Sequence, residues 1–299
     1  MSSWADSAEA WAARARRAEE LGYATLLMAD HLGRQLSPLV ALTAAALATT
    51  RLRVGSYVFA NDYRHPLVLA REAATLDLVS GGRFELGIGA GWNTADYERL
   101  GVPYDPPSRR VDRLAEALPI LKALLEGATI DHDGPHYTLH GATVAPTPIQ
   151  RPHPPILVGG GGPRVLRIAA READIVAMQP QFDPRGRPML RHVTEGATAR
   201  KVAIVREAAG PRFEALELNV IVGDAGLVGS GAGLPGSVAA GLKAAAAGVV
   251  GTPYALYGTV GQLRDQLERR RERLGISYYA LPGRAMEAMA PLVEALAGR

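Results

Sequence analysis

Residues 67–93 read LVLAREAATLDLVSGGRFELGIGAGWN and hold one complete helix-to-strand unit. The first part predicts a helix around Leu67–Val79, and two glycines then form a turn. Residues 83–89 make a short apolar run, which is typical of a strand that is buried on both faces. Units of this kind build a parallel sheet that is covered by helices.

The same alternation runs through the whole chain. We predict seven strands, which begin at residues 23, 52, 83, 155, 174, 216 and 276. The first predicted helix lies at Ala8–Leu21, and Ser3 and Asp6 can form a capping box before it. One more helix starts at Pro163, and the remaining ones lie at Pro38–Ala48, Arg109–Leu125, Glu195–Ala208, Ser237–Ala247, Val260–Leu274 and Arg284–Leu296.

Seven strands are one fewer than a closed (β/α)8 barrel contains, and the chain opens with a helix. The predicted fold class is therefore α/β, a (β/α)8 TIM-type barrel with insertions that apparently lacks its first strand in this chain. A doubly wound open sheet is the alternative. We expect one domain over residues 1–299, with excursions near 129–154 (a hairpin), 179–192 and 223–235.

Composition excludes several classes of function. The chain has no cysteine, so a disulfide, a thiolate metal site and a cysteine nucleophile are ruled out. The net charge of +3 is spread along the chain, which argues against a nucleic-acid partner. No apolar run approaches the roughly 18 residues of a membrane span, and no signal peptide precedes the first helix. We expect a cytoplasmic protein that contacts neither nucleic acid nor membrane.

Polar groups at the carboxyl ends of the predicted strands are the candidates for a site, because barrel enzymes react there. Asp30 and His31 end the first strand, and a histidine there can exchange a proton near neutral pH. Gly55 lies within the next strand, where it suggests a bulge or a close ligand approach. A helix-capping aspartate and a strand irregularity are the alternatives.

Three alternating glycines, Gly87, Gly89 and Gly91, leave one face of a strand without side chains. We read this face as a slot in which a flat ring can lie, with Trp92 and Asn93 at its rim. The pattern is not a dinucleotide fingerprint, and no helix is expected directly after it. Tight packing of small residues is the alternative interpretation.

The run Gly159, Gly160, Gly161 and Gly162 follows a predicted strand, and Pro163 then opens a helix. Backbone N–H groups and the positive end of a helix together favour an anion such as a phosphate. A flexible turn is the alternative. Other candidates are weaker: the histidines of residues 131–140 lie in a turn-rich loop, so we predict no metal site, and no Gly-x-Ser-x-Gly elbow occurs.

The ordered set of motifs resembles the luciferase-like monooxygenase superfamily, in particular its actinobacterial branch of F420-dependent oxidoreductases. The motifs are RRAEELGYATLLMADH (16–31), TTRLRVGSYV (49–58), HPLVLAREAATLDLVSGGRFELGIGAGWN (65–93), RPHPPILVGGGGPRVLRIAAREADI (151–175) and GTVGQLRDQLERRRERLGIS (258–277). The resemblance runs from about Trp4 to the C-terminus. It implies a TIM-type barrel, a small-molecule substrate and a homodimer.

The resemblance also implies roles for individual residues. His31 falls where related enzymes have a histidine that acts in proton transfer, and Trp92 falls at the rim of the active site; these two are the predicted catalytic residues. The predicted cofactor-binding residues are Asp30, Tyr57, Val58, Asn93, Gly159, Gly160, Gly161 and Gly162. A non-prolyl cis peptide is expected between Tyr57 and Val58, and the glycine run is expected to hold the cofactor phosphate.

Hydride transfer between coenzyme F420 and a small organic substrate is the predicted function. An FMN-dependent two-component monooxygenase, fed by a separate reductase, is the first alternative. A member of the superfamily that kept the fold and lost cofactor use is the second. The sequence does not indicate the substrate.

Overall fold

The parallel sheet contains the seven predicted strands. A computed structural model describes residues 4–181, 189–227 and 251–297. The seven strands are β1 (Thr25–Met28), β2 (Arg53–Ser56), β4 (Phe84–Gly89), β7 (Ile156–Gly160), β8 (Ile175–Met178), β9 (Glu217–Ile221) and β12 (Ile276–Ala280). A two-residue strand, β3 (Phe59–Ala60), pairs with β4.

The sheet order decides between the two predicted architectures. The strands pair in parallel in the order β1-β2-β4-β7-β8-β9-β12, which is their order in the chain. A doubly wound sheet would reverse direction at a switch point, and this order has no reversal. The sheet therefore curls as a barrel does, and the prediction of a TIM-type barrel is confirmed.

Helices cover the outside of the curled sheet, and most of their predicted bounds agree within two residues. They are α1 (Ala8–Glu20), α2 (Pro38–Ala48), α3 (Pro66–Ser80), α4 (Thr94–Leu100), α5 (Pro107–Leu125), α6 (Pro163–Glu172), α7 (Glu195–Ala209), α8 (Val260–Leu274) and α9 (Met286–Leu296). The predicted helix at Ser237–Ala247 lies outside the described residues.

Helix α1 begins at Ala8, as predicted, but its N-terminal cap differs from the prediction. Its N-cap is Ser7, whose hydroxyl accepts a hydrogen bond from the N–H of Ala10, so the predicted capping box of Ser3 and Asp6 is wrong. Asp6 instead accepts a hydrogen bond from the indole of Trp4 at 2.8 Å. The helix buries Trp11, Ala15 and Ala18 against α2 and the sheet.

The two ends of the curled sheet, β1 and β12, face a cleft. It is a small cleft, lined by Tyr23, Thr25 and Leu27 on one side and by residues 278–283 with Met286 on the other. The Tyr23 hydroxyl donates to the carbonyl of Met286 at 2.8 Å and bridges the cleft. This is where a closed eight-stranded barrel has one further strand.

The amino-terminal end of the barrel interior is filled by polar side chains. The Glu85 carboxylate accepts hydrogen bonds from Arg53 (2.7 Å), Thr25 (3.2 Å) and the Tyr278 hydroxyl (3.1 Å). Because these contacts fill that end, open space for a ligand is left at the carboxyl end of the strands.

The predicted hairpin in the first excursion is present as β5 (Ile130–Asp133) paired antiparallel with β6 (Thr138–Ala142). The Glu116 carboxylate of α5 fixes it by accepting hydrogen bonds from the N–H groups of His136 and Tyr137. Two more short strands, β10 (Asp224–Leu227) and β11 (Ala255–Gly258), pair in parallel beside α9. In the described part of the chain no helix is long and apolar enough to cross a membrane.

Candidate functional site

His31 lies at the carboxyl end of β1 and is held by one buried carboxylate. Its Nδ1 lies 2.7 Å from Oδ2 of Asp96, a side chain that has no exposed surface. The same carboxylate accepts hydrogen bonds from the N–H of Leu32 (3.1 Å) and from Asn93 Nδ2 (2.7 Å). About a third of the His31 side chain is exposed. The imidazole is therefore fixed in orientation while part of its surface faces the site.

The charge state of Asp96 decides which nitrogen of His31 carries the proton. Burial alone would raise the pKa of Asp96, but hydrogen bonds from His31, Leu32 and Asn93 outweigh burial and hold this pKa below its ordinary value. An ionised carboxylate only accepts hydrogen bonds, so Nδ1 of His31 must donate. Nε2 is then the nitrogen that can exchange a proton with a bound molecule.

Asp96 was not among the predicted site residues, because the sequence was read as having no helix after the glycine strand. That reading is wrong: α4 begins at Thr94, directly after Asn93, and presents Asp96 to His31 from its first turn. An acidic residue in the first turn and Gly101 at the end in a left-handed conformation are the signals of a short helix. They were present in the sequence.

Asp30 lies beside His31, and its carboxylate is used within the protein. It accepts a hydrogen bond from the N–H of Ala60 (3.2 Å) and forms an ion pair with Arg64 (2.6 Å). The side chain is buried. These contacts fasten the end of β1 to the segment after β3. A direct contact of Asp30 with a cofactor stays a prediction.

The peptide bond between Tyr57 and Val58 is cis, as the resemblance led us to expect. The Val58 side chain packs against three glycines on two neighbouring strands. A Cβ atom on Gly87, Gly89 or Gly159 would lie 3.2, 2.8 or 3.1 Å from a methyl group of Val58. Gly87 has a further constraint, because its Cβ would collide with the carbonyl of Ser56.

The slot predicted along the alternating glycines is therefore not open. Val58 fills it at Gly87 and Gly89, and the Tyr97 hydroxyl lies where a side chain on Gly91 would go. Tight packing, the alternative that we considered, explains why these positions are glycine. The consequence for the site is that the Tyr57–Val58 segment lies over Gly87, Gly89 and Gly159, which give Val58 room, and we call this segment the platform.

Polar groups of the barrel interior meet at the Tyr57 hydroxyl. This hydroxyl donates to Oδ1 of Asn219 (2.5 Å) and accepts from Nε2 of Gln179 (2.8 Å). Burial raises the pKa of Tyr57 well above its ordinary value, so the phenol stays protonated. Asn219 has no exposed surface, and its Nδ2 has no hydrogen-bond partner among the described residues. A buried donor without an acceptor is costly and indicates a place for a ligand oxygen.

The glycine run after β7 leads into α6, and its four glycines differ in the atoms that surround them. Gly160 packs against Val165, and a Cβ on Gly161 would collide with the carbonyl of Gln179. Gly162 is the N-cap of α6, and among the described residues a Cβ there would meet nothing nearer than the amide nitrogen of Gln181 at 3.9 Å. Space for an anion therefore lies at Gly162, at the positive end of a ten-residue helix.

The buried Lys201 contacts the backbone segment against which Gly161 packs. Nζ of Lys201 donates to the carbonyls of Gln179 (2.8 Å) and His192 (3.1 Å) and to the Tyr254 hydroxyl (2.9 Å). All three partners are neutral, and burial lowers the pKa of Lys201 to about 8. The lysine thus holds the backbone at the end of β8, against which Gly161 packs.

Trp92 lies next to His31. Its ring meets the imidazole of His31 edge to face, with centroids 5.6 Å apart, and 47% of the residue is exposed. The histidines of the hairpin have structural partners instead: His132 contacts Glu116 at 2.9 Å. Among the described residues, no group of three potential metal ligands occurs.

The fold and the position of this site are those of the TIM-barrel enzymes, in which catalytic groups lie at the carboxyl ends of the strands. The sequence profile of the luciferase-like monooxygenase family matches residues 2–225. The chain belongs to this family.

Several relatives share part of the chain. An uncharacterized protein of Mycobacterium tuberculosis is 38% identical over 146 residues, which are 48% of this chain and 50% of the relative. An F420-dependent glucose-6-phosphate dehydrogenase of Microbacterium testaceum is 33% identical over 165 residues, with coverages of 52% and 48%. The oxygenase component of a flavin-dependent trigonelline monooxygenase of Acinetobacter baylyi is 33% identical over 144 residues, with coverages of 48% and 39%. The chain thus spans about half the length or less of these curated relatives.

Solved structures share the fold over nearly the whole chain. The monooxygenase RslO1 of Streptomyces bottropensis superposes with a TM-score of 0.76 at 22% identity, covering 97% of this chain and 94% of that one. A coenzyme F420-dependent tetrahydromethanopterin reductase of Methanopyrus kandleri gives 0.74 at 19% identity, with coverages of 97% and 96%. At these identities the likeness establishes the fold alone.

Proposed function

We propose that the protein is an oxidoreductase that exchanges a hydride between coenzyme F420 and a small organic molecule. The observation that carries the proposal is that three features share the carboxyl end of the barrel. They are the oriented imidazole of His31, the Tyr57–Val58 platform, and the N-terminus of α6 at Gly162, which is open as far as the described residues go. The F420-dependent relatives support the same assignment.

The residues present fit a deazaflavin. Its ring would rest on the Tyr57–Val58 segment, and the unpaired Nδ2 of Asn219 offers a hydrogen bond to a ring oxygen. The phosphate would lie at Gly162, where the backbone N–H groups at the start of α6 have no side-chain cap. The bound deazaflavin would supply the site with a carbon that accepts or releases hydride.

The chain's own residues would supply the proton. Asp96 keeps the proton of His31 on Nδ1, so Nε2 takes up or gives the proton that accompanies hydride transfer. Asn93 and the N–H of Leu32 hold Asp96 in place, and Trp92 limits how a substrate approaches the imidazole. Catalytic roles for His31 and Trp92 are part of the proposal.

Titration of the purified protein with oxidised F420 and, separately, with FMN tests the proposal. Quenching of deazaflavin fluorescence by the wild type, with weaker binding to Asn219→Leu and Gly162→Asp, is the expected result. The two variants probe the ring and the phosphate ends independently. Binding of neither cofactor by the folded protein would reject both redox functions and favour a family member that lost cofactor use.

An FMN-dependent two-component monooxygenase is the second candidate, and the relative from Acinetobacter baylyi is the observation that favours it. The ring and phosphate positions suit either cofactor, because both carry a tricyclic ring and a phosphate. Oxygen consumption with chemically reduced FMN separates the two, because free reduced FMN consumes oxygen by itself at a background rate. A monooxygenase would add substrate-dependent consumption and an oxygenated product to this background, whereas an F420 oxidoreductase would add neither.

We also propose a homodimer in the cytoplasm. Four apolar side chains lie exposed on the neighbouring helices α2 and α3: Val40 (71%), Leu47 (70%), Leu78 (46%) and Val79 (41%). Exposed apolar groups on adjacent helices favour association. Sedimentation of the wild type at dimer mass, and of a Val40→Lys/Leu47→Lys variant at monomer mass, is the expected outcome. The absence of cysteine suits a reducing compartment, and cell fractionation tests the location.

A further inference from the structure

Three large side chains around His31 expose much of their surface. They are Leu32 (43%), Trp92 (47%) and Tyr104 (42%), and we call them the apolar rim. A single exposed leucine is common on a protein surface, but a group of exposed apolar side chains around a candidate proton donor indicates a binding surface. Ligand sites are lined mainly by such groups, with a few polar atoms that fix orientation.

The aromatic members of the apolar rim are held in place. The Tyr104 hydroxyl donates to the carbonyl of Trp92 at 3.0 Å. The guanidinium of Arg110 lies 4.2 Å from the centre of the Tyr104 ring and also donates to its hydroxyl at 3.1 Å. The ring of Trp92 in turn contacts His31. The rim is thus a pre-formed apolar surface that ends at the imidazole.

Basic side chains on the elements around His31 are already engaged by the protein. Three of them form ion pairs with aspartates: Arg64 with Asp30 (2.6 Å), Arg99 with Asp96 (3.3 Å), and Arg113 with both Asp62 (2.9 Å) and Asp105 (2.9 Å). The fourth, Arg110, donates hydrogen bonds to the backbone carbonyls of Asp105 and Gly91. Each of these four arginines has an oxygen partner. Arg34, in the segment after His31, instead lies over the ring of Trp4, 5.0 Å from the ring centre. A phosphate or carboxylate would have to displace one of those partners.

The charges of this group balance. Four negative side chains, Asp30, Asp62, Asp96 and Asp105, lie beside four positive ones, Arg64, Arg99, Arg110 and Arg113. The group therefore leaves no net positive charge to attract an anion.

We infer that the substrate is an uncharged, largely apolar organic molecule that packs against Trp92, and not a phosphorylated or carboxylated one. The inference rests on the proposed function and names the substrate class of that site. The redox balance is unchanged: one hydrogen moves with two electrons as hydride to or from the deazaflavin, and the second moves as a proton at Nε2 of His31.

A matched pair of probes tests the charge preference. Acetophenone and 4-acetylbenzoate share one skeleton and differ by a carboxylate, and ligand-detected NMR gives a dissociation constant for each with the cofactor-free protein. We expect acetophenone to bind at least tenfold more tightly. Equal affinity, or tighter binding of 4-acetylbenzoate, would overturn the inference, as would preferential binding of glucose 6-phosphate.

Two variants locate the binding. Trp92→Ala should weaken acetophenone binding about tenfold, whereas Ile149→Ala should leave it unchanged. Ile149 is a matched control because it is 48% exposed and packs beside Gly82, at the amino-terminal end of β4. Circular dichroism checks that both variants are folded. Unchanged affinity in Trp92→Ala would place the ligand elsewhere and reject the inference.

The two proposals can fail separately. If a cofactor binds and 4-acetylbenzoate is preferred, the substrate class is wrong and the oxidoreductase function stands. If neither F420 nor FMN binds and acetophenone still depends on Trp92, the redox function is wrong and the ligand class stands.

Discussion

Replacement of Lys201 by methionine should remove a pH dependence of stability. The ammonium group of Lys201 is buried and contacts three neutral oxygens, and burial lowers its pKa from 10.5 to about 8. In the unfolded chain the lysine regains its ordinary pKa. The unfolded state therefore binds more protons than the folded state between about pH 8 and pH 10.5, so stability rises with pH in that window.

The lowered pKa sets the size of the effect. Lowering the pKa of Lys201 from 10.5 to about 8 corresponds to roughly 3 kcal/mol between the two protonation states. This penalty is complete below about pH 8 and disappears as the pH approaches 10.5. Between about pH 7 and about pH 9 the wild type should gain roughly 1 kcal/mol that the methionine variant does not gain. Buried tyrosines such as Tyr57 contribute equally to both proteins and cancel in the difference.

Urea unfolding at pH 7, 8 and 9, followed by circular dichroism at one fixed protein concentration, measures the difference. Lys122→Met is the matched control, because Lys122 lies at the surface in an ion pair with Glu172. The control should keep the slope of the wild type. If the Lys201 variant also keeps that slope, the ammonium is not charged in the folded protein or is not buried, and the reasoning fails.

Three further predictions concern the site itself. Asp96→Asn should lower the free energy of unfolding by about 3 kcal/mol, because it leaves buried donors facing an amide. Because the pKa of Asp96 is lowered in the folded protein, wild-type stability should fall as the pH drops below about 4, and the variant should lose less. Urea titrations at about pH 7 and about pH 3 would reveal the difference. Gly87→Ala should cost more than about 3 kcal/mol, because its Cβ collides with the carbonyl of Ser56, and an unchanged melting temperature would refute this. Gly161→Ala should likewise lower the melting temperature, whereas Gly162→Ala should be tolerated, and the opposite order would show that the two glycines have been assigned the wrong contacts.

Most of the sheet was predictable from the sequence because its strands are short apolar runs that are buried on both faces. The run of β8 has four residues, all of them buried, so neither alternation nor exposure complicates it. Helices were predictable where caps are explicit, as at α8, where Thr259 and Gln262 form a capping box. The start of α1 at Ala8 was predicted correctly, but its cap was not, because Ser3 and Ser7 both suit an N-cap.

The candidate site was predictable only in part. His31, Tyr57 and Gly162 stand out because they follow strands, and position in the chain is what sequence patterns report. The partner of His31 comes from a helix 65 residues away, a contact that no local pattern contains. The role of the alternating glycines was misread because packing of Val58 across β4 and β7 depends on how the chain turns after β2.

The position of β1 in the sheet has a mechanical consequence for His31. In the described sheet β1 is an end strand that pairs with β2 alone, so β1 lacks the support that a closed ring of strands gives from both sides. Two contacts tie the chain just before β1 to the last helix: the Tyr23 hydroxyl to the carbonyl of Met286, and Arg17 of α1 to Glu287. His31 follows the four residues of β1 closely, so these contacts support its position from outside the sheet. We expect their loss to let His31 shift relative to the Tyr57–Val58 platform without any change at either residue.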